Sequence, residues 1–271
     1  MKKTHFLGHI ITTRLAIENN NKTSFLKKLI KYLTNPSLVF KRLFYEFSKH
    51  RIEFNWEQRA KKFGKSSVLS YNFSKKEYEL ITQKHKNIIF PILYARYKKT
   101  LIFNQDKDFN SNKNKILDFG CGHGRFSYDL AKKFNSSVLG VDKSNSLLNL
   151  TKNTFNVKFI HEKQFIRNKI YKNNYFDLVF LFSVLGGIPN NKIKDVVKIL
   201  IDSLKFNGLI FFIEQTGSKN LEGIWRTRTL ENYCKLFNKV NLKSSNYFIE
   251  DGYSFSIFEG IKKPRIFSPE F

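Results

Sequence analysis

The chain has 271 residues with 48 Lys and Arg against 22 Asp and Glu, which gives a formal net charge of +26. Its length suffices for a large buried core, and its 16% aromatic content excludes a disordered chain. Two cysteines cannot build a disulfide framework or a four-thiolate zinc site, and no apolar run is long enough to span a membrane. We therefore expect a cytoplasmic protein without a metal centre.

The positive charge is concentrated at the start of the chain. Residues 1–115 carry 25 basic and 8 acidic side chains, a net charge of +17. Such a field favours an anionic substrate or partner. Most of the charge is lysine, whereas arginine is the better ligand for phosphate, so the composition does not favour a surface built for specific nucleic-acid binding.

Residues 1–103 read as a basic, helical N-terminal extension. Apolar side chains recur at helical spacing over 25–33 and again over 39–47, after a cap and proline at Asn35-Pro36. A third helix is predicted over 75–97, with Pro91 as a break or kink. We favour the first two helices as a lid on the domain that follows; the alternative is peripheral contact with an acidic membrane surface.

Residues 113–271 alternate between short strands and helices, after a linker over 104–114 that is rich in Asn and Asp. Seven strands are predicted over 115–119, 138–141, 157–160, 176–182, 209–213, 242–250 and 253–261, with helices over 124–134, 144–153, 191–204 and 229–237. Alternation of this kind predicts an α/β fold with a mostly parallel, Rossmann-like sheet. The last two strands read as a hairpin turned at Asp251-Gly252, which makes the last strand antiparallel.

A glycine-rich turn follows the first of these strands. Gly120-x-Gly122-x-Gly124 lets a ligand approach the backbone at the start of a helix, but it is one residue shorter than the dinucleotide pattern. The second strand ends at Asp142, about 18 residues after the last glycine, where a carboxylate can accept both hydroxyls of a ribose.

These features resemble the class I S-adenosylmethionine-dependent methyltransferases, and the match covers residues 113–261. Four pieces agree in order: 118–124 (DFGCGHG), 140–144 (GVDKS), 175–185 (YFDLVFLFSVL) and 204–210 (LKFNGLI). The resemblance implies a seven-stranded methyltransferase sheet and S-adenosylmethionine as the cofactor.

The resemblance also implies roles for particular residues. The cofactor site would comprise Asp118, Gly120, Cys121, Gly122, Gly124, Asp142, Lys143, Leu147, Phe182 and Ser183. Within it the three glycines would line the methionine part, and Asp118 would hold the turn and the ammonium group. Asp142 would hold the ribose, and Lys143 and Leu147 would lie near the adenine. Phe182 and Ser183 would face the methyl group.

Two stretches depart from the family pattern. Gly186-Gly187 stands where many relatives carry bulky or histidine residues, which opens space beside the methyl group and removes a familiar base. His161-Glu162-Lys163 stands where many relatives have Gly-Asp, which leaves Glu162 as a candidate partner of the adenine amino group.

The sequence is less specific about the residues that would bind the methyl acceptor or act on it. Glu214, at the end of the fifth strand, is a weak candidate for a general base, and His123 is a second. Trp225, Arg226 and Arg228, with Gly187, suit an anionic or sugar-bearing group, although a packed tryptophan with solvated arginines would give the same pattern.

A segment from Trp56 to Val68 resembles the helical cap of small-molecule methyltransferases and is expected to close over the cofactor. The favoured function is methyl transfer to an oxygen or nitrogen of a small molecule, such as a sugar or surface-glycan precursor. One alternative is an RNA or protein methyltransferase that binds its polymer through the basic extension. A second is a non-catalytic, cofactor-binding partner subunit.

Overall fold

The computed structural model describes residues 55–69, 74–104, 114–217, 225–250 and 252–263. These ranges lie within a compact unit that runs from Glu53 to Phe271. The two helices predicted within residues 25–47 lie outside the described residues. None of the helices in the described ranges combines the length and the hydropathy needed to cross a membrane.

Helices and strands alternate along most of the unit. The helices are α1 (Trp56–Phe63), α2 (Lys75–Asn104), α3 (Ser127–Phe134), α4 (Asn145–Leu148), α5 (Glu162–Arg167), α6 (Ile193–Ser203) and α7 (Leu230–Leu236). The strands are β1 (Lys115–Phe119), β2 (Ser137–Asp142), β3 (Val157–His161), β4 (Phe176–Phe182), β5 (Leu204–Thr216), β6 (Lys243–Glu250) and β7 (Tyr253–Ile261). Three 3-10 turns cover Gly64–Val68, Ile170–Asn173 and Leu185–Gly187.

The seven strands form one sheet in the order β3-β2-β1-β4-β5-β7-β6. Neighbouring strands from β3 to β5 are parallel, whereas β7 is antiparallel to both β5 and β6. This confirms the predicted Rossmann-like sheet with an antiparallel last strand. The strand order reverses between β1 and β4, and in open sheets of this kind a ligand crevice opens there, beyond the carboxyl ends of the strands.

Helices cover both faces of the sheet. One apolar layer joins the sheet to α5, α6 and α7 and is centred on Phe165, Val197, Leu200, Phe212 and Phe258. The other joins it to α2 and α3 and is centred on Leu93, Phe126, Leu130, Phe180 and Phe211. A sheet buried on both faces explains why strands such as β4 read as continuous apolar runs.

Helix α2 belongs to this α/β layer. It continues through Pro91 without a break, and Ile89 and Leu93 are fully buried against the sheet. Within the predicted extension, α2 therefore packs against the sheet as part of the core.

Helices α3, α4 and α5 differ from the sequence prediction. Helix α3 begins at Ser127 rather than at Gly124, because all three glycines of the turn have positive φ and cannot continue a helix. Helix α4 has 4 residues instead of ten, and α5 was not predicted. Apolar periodicity does not mark the ends of such short helices.

Candidate functional site

An open cavity lies at the carboxyl ends of β1, β2 and β4. It is lined by Trp56, Val68, Phe119, Gly120, Gly122, Val141, Asp142, Lys143, Leu147, Glu162, Phe182, Ser183, Val184, Gly187 and Ile188. Seven of the ten residues expected at the cofactor therefore line this cavity: Gly120, Gly122, Asp142, Lys143, Leu147, Phe182 and Ser183.

The glycine turn is held against the end of β2. The backbone N–H groups of Gly120 and Cys121 both donate to the carbonyl of Val141, at 2.7 and 3.1 Å. Gly120 and Gly122 have φ of +74° and +58°. A Cβ at Gly120 would overlap the side chain of Val184, and one at Gly122 would stand 3.0 Å from Val68. Glycine is thus required here both by conformation and by space.

Asp142 presents its carboxylate at the floor of the cavity. One oxygen accepts a hydrogen bond from the N–H of Gly122 and the other from the N–H of Ser144, both at 2.8 Å. Burial raises the pKa of Asp142, and these backbone donors oppose that effect. Because each carboxylate oxygen can accept a second hydrogen bond, the fixed carboxylate fits the two hydroxyls of a ribose.

Three expected cofactor residues do not line the cavity. Asp118 is 2% exposed and accepts the hydroxyl of Ser127 at 2.6 Å, so it secures the start of α3. Burial raises the pKa of Asp118 to about 7. Cys121 is buried, and a Cβ at Gly124 would stand 2.8 Å from Phe159. These three residues lie within the turn or directly beneath it, and none of them is part of the cavity wall.

Glu214 is buried beneath the loop that follows β4, which we call the post-β4 loop (residues 183–188). Its carboxylate accepts the N–H groups of Val184 and Leu185 at 2.6 Å each and that of Gly186 at 3.2 Å. Burial raises the pKa of Glu214 to about 7, against these three donors. Since the carboxylate is absent from the cavity wall, the geometry gives Glu214 a structural role and does not support its use as a base.

Arg228 binds the same loop from its carbonyl side. Its guanidinium donates to the carbonyls of Leu185 (2.8 Å) and Ile188 (2.9 Å) and to the side chain of Asn190 (2.8 Å). Arg228 is 7% exposed and does not line the cavity. The Arg228 guanidinium therefore contacts the chain itself through one buried and two partly buried hydrogen bonds.

Trp225 occupies the space that Gly186-Gly187 leaves. A Cβ at Gly186 would overlap the Trp225 indole, and one at Gly187 would lie 3.4 Å from Trp225 and 3.8 Å from Trp56. The N–H of Arg226 donates to the carbonyl of Gly186 at 2.8 Å. Of the expected substrate residues, only Gly187 lines the cavity; Trp225 and Arg226 stand behind it.

Another part of the cavity wall is formed by α1 and by the 3-10 turn that follows it. We call residues 56–68 the cover segment. Trp56 and Val68 line the cavity, as expected for a segment that closes over the cofactor. Arg59 shapes the segment by donating to the carbonyls of Ser67 at 2.7 Å and Leu69 at 2.6 Å. The sequence predicted the segment as a whole but not these hydrogen bonds, which span 8 and 10 positions.

Two further ionisable residues, Glu162 and His123, lie in different places relative to the cavity. Glu162 lines the cavity, and burial raises its pKa. His123 is buried and lies 2.6 Å from the hydroxyl of Tyr78 through its Nε2 atom, and burial lowers its pKa to about 4. His123 therefore joins the glycine turn to α2 and stays outside the cavity wall.

The sheet order, the glycine turn and the carboxylate at the end of β2 have the arrangement of a class I S-adenosylmethionine-dependent methyltransferase domain. Residues 116–208 match the family model described as "Methyltransferase domain". The matched stretch contains β1 to β4 and with them the cofactor side of the cavity.

Two curated relatives are similar over part of their length. Phosphoethanolamine N-methyltransferase 3 of Arabidopsis thaliana is 30% identical over 151 residues, which are 52% of this chain and 30% of that protein. Carboxy-S-adenosyl-L-methionine synthase of Nautilia profundicola is 30% identical over 135 residues, 46% of this chain and 55% of that protein. The chain thus matches about half or less of the length of these relatives.

A solved structure shares the fold. It is a SAM-dependent methyltransferase from Anabaena variabilis with a TM-score of 0.52 and 16% identity, covering 76% of this chain and 93% of that one.

Proposed function

We propose that this protein transfers the methyl group of S-adenosylmethionine to an oxygen or nitrogen of a small molecule. The observation that carries the proposal is the Asp142 carboxylate, fixed by two backbone donors in a cavity that also contains the glycine turn and Ser183. The bound cofactor supplies a methyl group that is already activated on a sulfonium. The protein's part is then to hold both partners in line, which can supply roughly 7–11 kcal/mol.

The cavity wall supports a small acceptor. The cover segment contributes Trp56 and Val68, and the far end is formed by Phe182, Gly187 and Ile188. A wall of this kind suits a compact group rather than a polymer surface. Because the Glu214 carboxylate is occupied by three backbone donors, an amine, which needs no strong base, is the least demanding acceptor.

The compounds to be tested as methyl acceptors follow from the chemistry of the site and of the relatives. Sugars and surface-glycan precursors remain our proposed class, since Trp56 lines the cavity near Gly187 and offers an aromatic ring for contact with a sugar. The similarity to a phosphoethanolamine N-methyltransferase adds phosphorylated amino alcohols to the panel.

Two measurements test the proposal. Calorimetry with S-adenosylhomocysteine should show saturable binding, and labelled methyl groups from S-adenosylmethionine should appear in one member of a panel of nucleotide sugars, glycan fragments and amino-alcohol phosphates. Absence of binding by the folded protein would overturn the cofactor assignment. Binding without transfer to any panel member or to RNA would favour the non-catalytic subunit.

The alternative function, in which RNA is the methyl acceptor, is tested separately by RNA binding. With a net charge of +26, weak and sequence-indifferent binding to RNA is expected, and it should vanish near physiological salt. Salt-resistant binding to one RNA would instead favour the polymer methyltransferase.

A further inference from the structure

Glu57 joins the cover segment to the loop that follows β2. One of its carboxylate oxygens accepts the hydroxyl of Ser144 at 2.8 Å and the N–H of Ser146 at 3.1 Å, and the other accepts the Ser146 hydroxyl at 2.5 Å. Residues 87 and 89 positions apart are thereby brought together. The sequence singled out none of these three side chains.

The contact of Glu57 with Ser144 and Ser146 lies next to Asp142 and next to Trp56, which both line the cavity. Ser144 also donates its backbone N–H to Asp142, so a single serine connects the two carboxylates. On the other side, Glu57 follows Trp56 directly in the chain, and Trp56 lines the cavity. The same helix leads to Val68, which stands against Gly122. An interaction at Glu57 therefore bears on how firmly the cover segment lies over the cofactor.

The donor set suits a carboxylate rather than an amide. Three donors converge on the two oxygens, and the two serine hydroxyls and the Ser146 N–H lower the pKa of Glu57 to about 2. Lys61 is a minor partner, because its ammonium lies 3.8 Å away and its side chain is 68% exposed.

We propose that Glu57 is a positioning residue for cofactor binding: its carboxylate docks the cover segment on Ser144 and Ser146 and so slows release of the cofactor. The proposal rests on the function proposed above, since it assumes that S-adenosylmethionine occupies the cavity. It assigns to Glu57 an effect exerted through Trp56 and Val68, without contact to the cofactor.

The test measures release of S-adenosylhomocysteine from the full chain by stopped-flow displacement, followed by tryptophan fluorescence. Glu57→Gln should raise the dissociation rate roughly tenfold or more, because a charge-assisted contact is lost. The matched control is Lys61→Ala, which removes the ion pair and keeps all three hydrogen bonds; it should change the rate less than about twofold.

Two double variants separate positioning from a general loss of stability. Ser146→Ala should also speed release, and its effect and that of Glu57→Gln should be less than additive, since Ser146→Ala removes one of the three hydrogen bonds that Glu57 accepts. Glu57→Gln should likewise have little effect once Trp56→Ala has removed the indole that it positions. Ser146→Ala with its double variant also covers the case in which Glu57→Gln does not fold.

The outcomes are distinguishable. If the unaltered protein does not bind S-adenosylhomocysteine, the proposed function fails. If it binds, and Glu57→Gln lowers the melting temperature but leaves the dissociation rate unchanged, Glu57 is merely structural and the positioning role is overturned. Additive effects of Glu57→Gln and Ser146→Ala on the rate would overturn it as well.

Discussion

The two ends of the cavity use charged side chains in opposite ways. At the cofactor end, Asp142, Lys143 and Glu162 line the cavity wall. At the acceptor end, the buried charges of Glu214 and Arg228 point away from the cavity and bind the backbone of the post-β4 loop. Charged side chains thus line the wall at one end and hold the backbone of a loop at the other.

This contrast explains why similar residue types have different consequences. A carboxylate at the end of a strand can line a cavity, as Asp142 does, or can lie behind the wall and accept the N–H groups of a loop, as Glu214 does. Substitutions at the cofactor end should therefore change affinity, whereas those behind the acceptor end should first change stability.

The largest expected effect is at Asp142. Asp142→Ala should weaken binding of S-adenosylhomocysteine about 10²–10⁴-fold, because two hydrogen bonds to a charged group are worth roughly 3–6 kcal/mol. Calorimetry measures the change, with circular dichroism to confirm folding. Asp195→Ala, which removes an exposed acid on α6, serves as the control and should bind normally. Unchanged affinity in folded Asp142→Ala would contradict recognition at this end.

Removal of Glu214 should act on stability. Glu214→Ala leaves three buried N–H groups without an acceptor and should lower the free energy of unfolding by about 3 kcal/mol or more. Urea denaturation gives the value, and Glu231→Ala, an exposed acid on α7, should stay within about 0.5 kcal/mol of the unaltered protein. A folded Glu214→Ala with full stability and lost activity would restore Glu214 as a base.

The burial of Glu214 also predicts how the stability of the protein depends on pH. Glu214 has a pKa of about 7 in the folded protein against 4.5 ordinarily, so the folded state binds more protons between these values. Its contribution to stability should therefore fall as the pH rises from 4.5 to 7, by up to about 3 kcal/mol. Glu214→Gln lacks this titration, and the difference in unfolding free energy between the two proteins should follow it. A pH-independent difference would contradict the buried, proton-binding carboxylate.

The smallest effect concerns the glycine pair. Gly186→Ala should cost about 1–3 kcal/mol of stability, because its Cβ would overlap the Trp225 indole. In a Trp225→Ala background the same substitution should cost much less, since the obstructing ring is gone. Thermal unfolding of the four proteins measures this coupling. Equal costs in both backgrounds would show that Trp225 does not explain the glycine.

Much of the fold could be predicted from local pattern. Strands β1 and β4 have the predicted bounds, and the hairpin turns at Gly252, where φ is +80°. Strand-end motifs also predicted the glycine turn and Asp142, because the sheet places the carboxyl ends of neighbouring parallel strands at one edge. These features depend on neighbouring residues or on the regular geometry of a parallel sheet.

Only the tertiary structure decided which partners the remaining side chains have. Glu214 meets N–H donors 28 to 30 positions away, Arg228 meets carbonyls about 40 positions away, and Glu57 meets serines beyond 85. Sequence alone could mark these residues as charged but could not say whether they face ligand, solvent or backbone. That choice is set by burial: a charge enclosed by the fold is stable only where donors or acceptors surround it, and those groups are supplied by distant segments of the folded chain.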